Sequence, residues 1–213
     1  MAFFKMFADS AKELKSLRCL TTTAVLIALD IALKSVNINI TDDTKISFAF
    51  LALASIGMLF GPTVGFIAGI VTDLIGMLLP TAVGAFNPLF TIVEATGAMV
   101  YGLFLYRMKY VKVEWKKGSI LKNFVHVWRI IVAKVAVVIV CNIILNPIAM
   151  VLSSYWTWET AIFVKIPSRL IKYAIQTPID IVLMILVLFP VLFAYKSIFK
   201  NQNTSRADSQ NLT

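Results

Sequence analysis

Charged residues are scarce: Asp, Glu, Lys and Arg make up 15% of the 213 residues, against roughly 25% in an average soluble domain. With 59% apolar residues and a mean hydropathy of +0.85, the chain cannot cover a core with polar surface, which excludes a water-soluble globule. Histidine occurs once, at His126. No second histidine or acidic pair stands at metal-ligand spacing, so neither a metal site nor an enzyme is expected, and no cofactor. The two cysteines, Cys19 and Cys141, lie in apolar runs that the topology below places near opposite membrane faces. That separation excludes a disulfide and leaves both as packing residues. A phosphate loop is missing as well: Gly97 and Gly102 have the spacing of G-x-x-x-x-G-K-[ST], but Leu103 replaces the lysine. Residues 1–18 lack the apolar stretch and cleavage site of a secretory signal. Nothing repeats at a fixed period, and no inverted pair of broken helices suggests a self-sufficient secondary transporter.

What the chain does have is long apolar runs, at about 19–35, 46–60, 63–80, 88–106, 124–147 and 168–195. Each approaches the length needed to cross a hydrocarbon core of roughly 30 Å. The expected architecture is an all-α integral membrane protein with six transmembrane helices in a single domain over 18–196. The second run is short and its boundary with the third rests on Gly61-Pro62, so a re-entrant segment stays open there. Lysine and arginine outnumber acids 20 to 11. Lys5, Lys12, Lys15 and Arg18 precede the first run, and Arg107, Lys109, Lys112, Lys116, Lys117 and Lys122 separate the fourth from the fifth. This places both termini in the cytoplasm and explains the positive charge by cytoplasmic loops, not by nucleic acid. Phe3, Phe7, Ala11, Leu14 and Leu17 recur at helical spacing among charged residues, as in a helix lying on the membrane surface over 1–17. The polar end, 197–213, reads as a disordered tail.

Ionisable groups inside spans cost about 2.5–3.5 kcal/mol each at a helix centre, so each needs a partner or a task. Asp30 and Lys34, four apart, can pair with each other. Asp73 and Glu94 lie in the outer halves of the third and fourth runs, Lys134 near the middle of the fifth, and Asn142 and Asn146 towards its outer end. Arg169, Lys172, Gln176 and Asp180 share one face of the sixth. That face should point into the bundle, either as an internal network such as Lys134 with Asp180 or as a cavity binding an anion. Tyr155, Trp156, Trp158, Phe86 and Phe90, with Asn87 beside them, flank these groups. A ligand with a planar, hydrogen-bonding head and a carboxylate would match the set. Two rows of small residues, Ala24, Ala28, Ala32 and Gly57, Gly61, Gly65, Gly69, allow close helix packing, within the bundle or against another membrane protein.

The run Leu20-Thr21-Thr22-Thr23-Ala24 with its alanine row resembles a known family, as do Ile46 to Leu51 leading into Gly61-Pro62-x-x-Gly65, and Asp73-Leu74-Ile75-Gly76 to Pro80. These are features of the substrate-binding S-components of energy-coupling factor (ECF) vitamin importers. The likeness covers about 17–196 and is closest to the folate-specific branch, through the first three helices and Arg169-x-x-Lys172-x-x-x-Gln176-x-Pro178. The resemblance implies a six-helix S-component in a bacterial plasma membrane, with a vitamin site near the extracellular side. It further implies that Ala24, Ala28 and Ala32 contact a transmembrane coupling subunit driven by two ATP-binding cassette ATPases, and that the S-component topples to deliver its vitamin. A pterin offers ring N–H and amino donors to a carboxylate, Glu94 or Asp73, while Arg169 or Lys172 suits the glutamate tail. Asn87, Asn142 and Gln176 complete the hydrogen bonding, with Phe86, Trp156 and Lys134 in the same pocket. The alternatives are an S-component for another vitamin or precursor and a stand-alone carrier of a small anion.

Overall fold

The computed structural model describes the backbone of residues 2–35, 38–41, 44–46, 48–78, 86–108 and 117–210, and side chains over 4–35, 48–78, 86–108 and 126–198. Pro80 and Gly84 of the loop before the fourth run, and the basic residues Lys109, Lys112 and Lys116, lie outside the described residues. Helix α1 (Ala2–Glu13) is followed by α2 (Leu17–Ser35), a short antiparallel hairpin of β1 (Ile38–Thr41) and β2 (Thr44–Ile46), then α3 (Phe50–Phe60), α4 (Pro62–Gly76) and α5 (Pro88–Leu105). Next, α6 (Lys117–Val137) runs through a π-helical segment, Val138–Leu145, into α7 (Asn146–Leu152). The single turn α8 (Trp158–Thr160) and a second π segment, Ala161–Lys165, lead into α9 (Ile166–Gln210). The backbone of the expected disordered tail therefore continues α9 as a helix as far as Gln210.

Each of the six apolar runs corresponds to a helical stretch, but they differ in reach. Pro88–Leu105, His126–Leu152 and Trp158–Ile198 are long and apolar enough to cross a membrane, and α1 with α2 would count as a fourth, broken span bent by 89°. At about 1.5 Å per residue, α3 and α4 extend only about 16 and 22 Å, short of a hydrocarbon core. The chain breaks between them because Gly61 takes φ +91°, in the left-handed region, and Pro62 begins α4 without an N–H to donate. The exposed face of α9 shows what surrounds the bundle. Ile171, Ile175, Ile179, Val182, Leu186 and Phe193 point outward, while Asp180, Met184, Leu188 and Leu192 are buried. A face that is apolar outside, with the one charged residue of this set, Asp180, buried, departs from the pattern of a soluble helix and suits lipid.

Helix α5 is the common wall of two cores. Tyr101 and Leu105 pack with Met58, Ile130, Ala133, Met184 and Leu188 from α3, α6 and α9. Ala98 packs with Cys19, Leu26, Ile56, Phe60 and Val64 from α2, α3 and α4. The glycine row makes this possible. A Cβ at Gly57 or Gly65 would lie 3.1 or 2.7 Å from the Ala98 carbonyl oxygen, and one at Gly69 would lie 2.6 Å from the Ala95 Cα. This row therefore serves packing inside the bundle. Ala24, Ala28 and Ala32 all sit on the exposed face of α2, opposite the buried Leu26 and Asp30.

Helix α1 closes the α3–α4 break. Ser10, fully buried, donates its hydroxyl to the Phe60 carbonyl at 2.7 Å and accepts from the Thr63 and Val64 N–H groups at 3.1 and 3.2 Å. It thus caps both helix ends from another element. Thr63 Oγ1 donates to the Phe7 carbonyl at 2.9 Å, and Arg107 pairs with Asp9 at 3.0 Å. Ser10→Ala strands these backbone groups and is expected to cost about 1–3 kcal/mol, read as a lower Tm of the detergent-solubilised protein. An unchanged Tm would remove the capping role.

Candidate functional site

A cavity of about 370 Å³ lies among α2, α3, α4, α5, α6 and the first π segment, within the range of about 300–1,000 Å³ typical of small-molecule sites. Its lining combines the acids Asp73 and Glu94, the bases Lys34 and Lys134, and the amides Asn142 and Asn146 with the rings of Phe50, Phe90 and Tyr101. The Tyr101 hydroxyl is buried and has no hydrogen-bond partner among the described residues. It is an unclaimed polar group in the wall of a cavity.

The acids are set by the close approach of α4 and α5. Where Gly69 lets the two backbones touch, each helix offers a threonine to the other's carboxylate. The Thr72 hydroxyl on α4 is shared between the Gly69 carbonyl and Glu94 Oε1, 3.1 Å from each, and Thr91 Oγ1 on α5 donates to Asp73 Oδ2 at 2.5 Å. Lys34 reaches across from α2 to Glu94 Oε1 and also stands 3.2 Å from Asp30 Oδ2. The sequence pairing of Asp30 with Lys34 is present, but the lysine serves two acids.

On the other wall, Lys134 Nζ on α6 lies 2.8 Å from Asp180 Oδ2 on α9 and 3.9 Å from the Phe50 ring centroid. Both partners are buried. Such a pair is held together because either charge alone would be strongly unfavourable there. The Lys134–Asp180 pair expected as one example of an internal network is present, and Lys134 still lines the cavity.

The π segment arranges the amides. Asn146 N–H bonds to the Cys141 carbonyl, five residues back. In that register the next acceptor is Asn142, but residue 147 is proline and has no N–H. Arg169 fills the gap, donating through Nη1 to the Asn142 carbonyl at 3.0 Å and to Asn146 Oδ1 at 2.9 Å. Its guanidinium lies 5.0 Å from the Trp156 ring centroid, a cation–π contact.

Of the residues expected to form the site, Asp73, Glu94, Lys134 and Asn142 line the cavity together. Arg169 stands behind it, braced on the π segment, with the Trp156 ring against its guanidinium. Lys172 lies near the Tyr173 ring, at 5.6 Å, and Gln176 is half-buried; neither lines the cavity. Asn87 caps α5, accepting from Leu89 N–H at 3.0 Å, and donates to Ser153 Oγ; Phe86 is exposed. Sequence reasoning did not place Phe50, Tyr101 or Lys34 in the lining. A buried tyrosine at mid-span signals packing and hydrogen bonding alike, and Lys34 was accounted for by its helical neighbour.

These features define a helical-bundle membrane protein built around an internal cavity of paired charges and aromatic walls. The model of the ECF-type riboflavin transporter S component matches residues 15–196, and the chain belongs to that family. It is similar to the folate transporter FolT of Clostridium novyi (strain NT), 28% identical over 80% of this chain and 88% of that protein. The folate transporter FolT of Leuconostoc mesenteroides is 29% identical over 74% of this chain and 77% of that protein. A crystal structure of FolT bound with folic acid matches with 31% identity and a TM-score of 0.60, covering 79% of this chain and 91% of that one. The family expected from the motifs is the family found, and it is one of transporter subunits.

Lys134→Met should strand Asp180 and cost about 3–5 kcal/mol, whereas Lys134→Met with Asp180→Leu should recover most of it. Thermal unfolding in detergent reads both; a single variant as stable as the parent would show that the pair holds nothing.

Proposed function

We propose that this chain is the folate-binding S-component of an ECF-type importer. The observation that carries the reading is the pair of threonine-held carboxylates, Glu94 and Asp73, in the cavity wall. They suit the adjacent N–H and amino groups of a pterin ring, which donate to a carboxylate. Both recorded contacts of Glu94 use Oε1, leaving Oε2 for such a donor. Phe50, Phe90 and Tyr101 supply flat apolar surface for the ring. In this reading the glutamate tail lies against Asn142 in the lining and reaches beyond it towards Arg169, which stands behind that amide, and Lys172, with Asn87, Gln176, Trp156 and Phe86 further out.

The second reading is riboflavin, favoured by the description of the family model. Riboflavin has no carboxylate, so it makes no use of a cation beside the cavity. The curated relatives and the solved neighbour are named for folate, which supports the first reading.

In this reading the lysine and arginine distribution puts both termini in the cytoplasm of a bacterial cell, with the protein in the plasma membrane. The 89° turn between α1 and α2 suits an α1 lying along the surface while 18–196 spans the bilayer. The exposed alanine row on α2, with the apolar groove of Leu20, Thr23, Ile27, Val64 and Ile67 beside it, is the face for the transmembrane coupling subunit. Two ATPases in other chains supply the energy, and toppling delivers the vitamin.

Titrating the purified chain with folic acid while following quenching of its four tryptophans tests the reading, with riboflavin, thiamine and biotin as controls. Saturable, folate-selective quenching is expected. Glu94→Gln should weaken it by about 10- to 100-fold, the loss of a charged hydrogen bond. Arg169→Ala or Lys172→Ala should weaken folic acid more than a tail-less pterin. Selective quenching by riboflavin would establish the second reading instead. Folate movement into vesicles holding this chain alone would replace the S-component with a stand-alone carrier. Ala28→Trp should leave folic acid binding intact and abolish uptake by cells; normal uptake would remove the docking face.

A further inference from the structure

Helix α2 enters the cavity at one residue only, Lys34. The rest of the helix is occupied otherwise: Cys19, Leu26 and Asp30 face inward, and Ala24, Ala28 and Ala32 are exposed on the far side. Asp30 is fully buried, and among the described residues its carboxylate oxygens have no hydrogen bond beyond the 3.2 Å ion-pair contact with Lys34. Lys34 also contacts Glu94 Oε1. One ammonium thus serves two carboxylates on different helices, and the Lys34 and Glu94 side chains keep 21% and 24% exposure at the cavity side. A buried acid, Asp30, and a half-buried one, Glu94, share this one base, an arrangement whose energy falls when a further donor arrives.

We propose that Lys34 is a positioning residue of the ligand site, shared between Asp30 and Glu94, through which α2 responds to occupancy of the cavity. This rests on the folate reading above. Before binding, Lys34 and Thr72 hold Glu94 by Oε1 and present Oε2 to the pterin donors. When those donors satisfy Glu94, the ammonium transfers its pairing towards Asp30, one helical turn away on its own helix. The link between α2 and α5 then weakens as the site fills, on the helix that carries the exposed alanine row. Lys34 does not touch the ligand; it acts through Glu94.

The test measures affinities for folic acid and for p-aminobenzoylglutamate, which keeps the tail and lacks the pterin, directly or by displacement. Lys34→Met should weaken folic acid about tenfold or more and p-aminobenzoylglutamate less than about twofold, with Lys34→Arg restoring most of the loss. Placed on a Glu94→Gln background, Lys34→Met should add less than about twofold, because a residue acting through Glu94 has nothing left to position. Unchanged binding of p-aminobenzoylglutamate also certifies that Lys34→Met is folded. If that variant does not fold, Asp30→Asn is decisive: with no carboxylate to receive the ammonium, folic acid should weaken about threefold or more. Folic acid binding unchanged in Lys34→Met or Asp30→Asn, equal losses for both ligands, or a full effect on the Glu94→Gln background would each overturn the proposal. A parent protein that does not bind folic acid would instead overturn the folate reading itself.

Discussion

The contact between α4 and α5 is the constraint on which the rest depends. Two helices whose backbones touch at Gly65 and Gly69 can exchange short side chains, and Thr72 and Thr91 do so with Glu94 and Asp73. Larger residues would separate the helices beyond the reach of a threonine hydroxyl. The carboxylates would then lose their fixed geometry, and the cavity would lose the wall that defines it. In lipid no hydrophobic force between helices replaces such contacts, because the tails are as apolar as the side chains. Small residues and interhelical hydrogen bonds have to do the holding.

The opposite wall obeys a different rule. There the helix itself is irregular, and the irregularity is filled from outside. The π register and Pro147 leave the Asn142 carbonyl without an intrahelical donor, and Arg169 supplies one from α9. Lys134 and Asp180 tie the preceding helix, α6, to α9. One wall is thus built by close packing and the other by charge, and the rings of Phe50 and Tyr101 lie among them.

Much of this was legible in the sequence because it is local. Apolar runs mark helices, Gly61-Pro62 marks a break, and a four-residue spacing pairs Asp30 with Lys34. The motifs of the first three helices carried the family. What escaped is what depends on partners far along the chain. Nothing near Lys34 points to Glu94, 60 residues away, and a helix face bearing Arg169, Lys172 and Gln176 says that these residues point inward without saying how far the cavity reaches. Arg169 is engaged by a carbonyl that only a π register frees, and that register has no sequence signal beyond a proline. The glycine and alanine rows look alike in sequence, yet one is covered by α5 and the other is bare.

The cap supplied by Ser10 bears on the order of assembly. Ser10 precedes its acceptor at Phe60 by 50 residues, so at roughly 5–20 residues per second α1 leaves the ribosome some seconds before the groups it satisfies exist. Helix α2 and the hairpin are made in the interval. The α3–α4 pair therefore inserts towards a helix that is already waiting, and its break is sealed on arrival. The beginning of the chain acts as a latch for elements synthesised later.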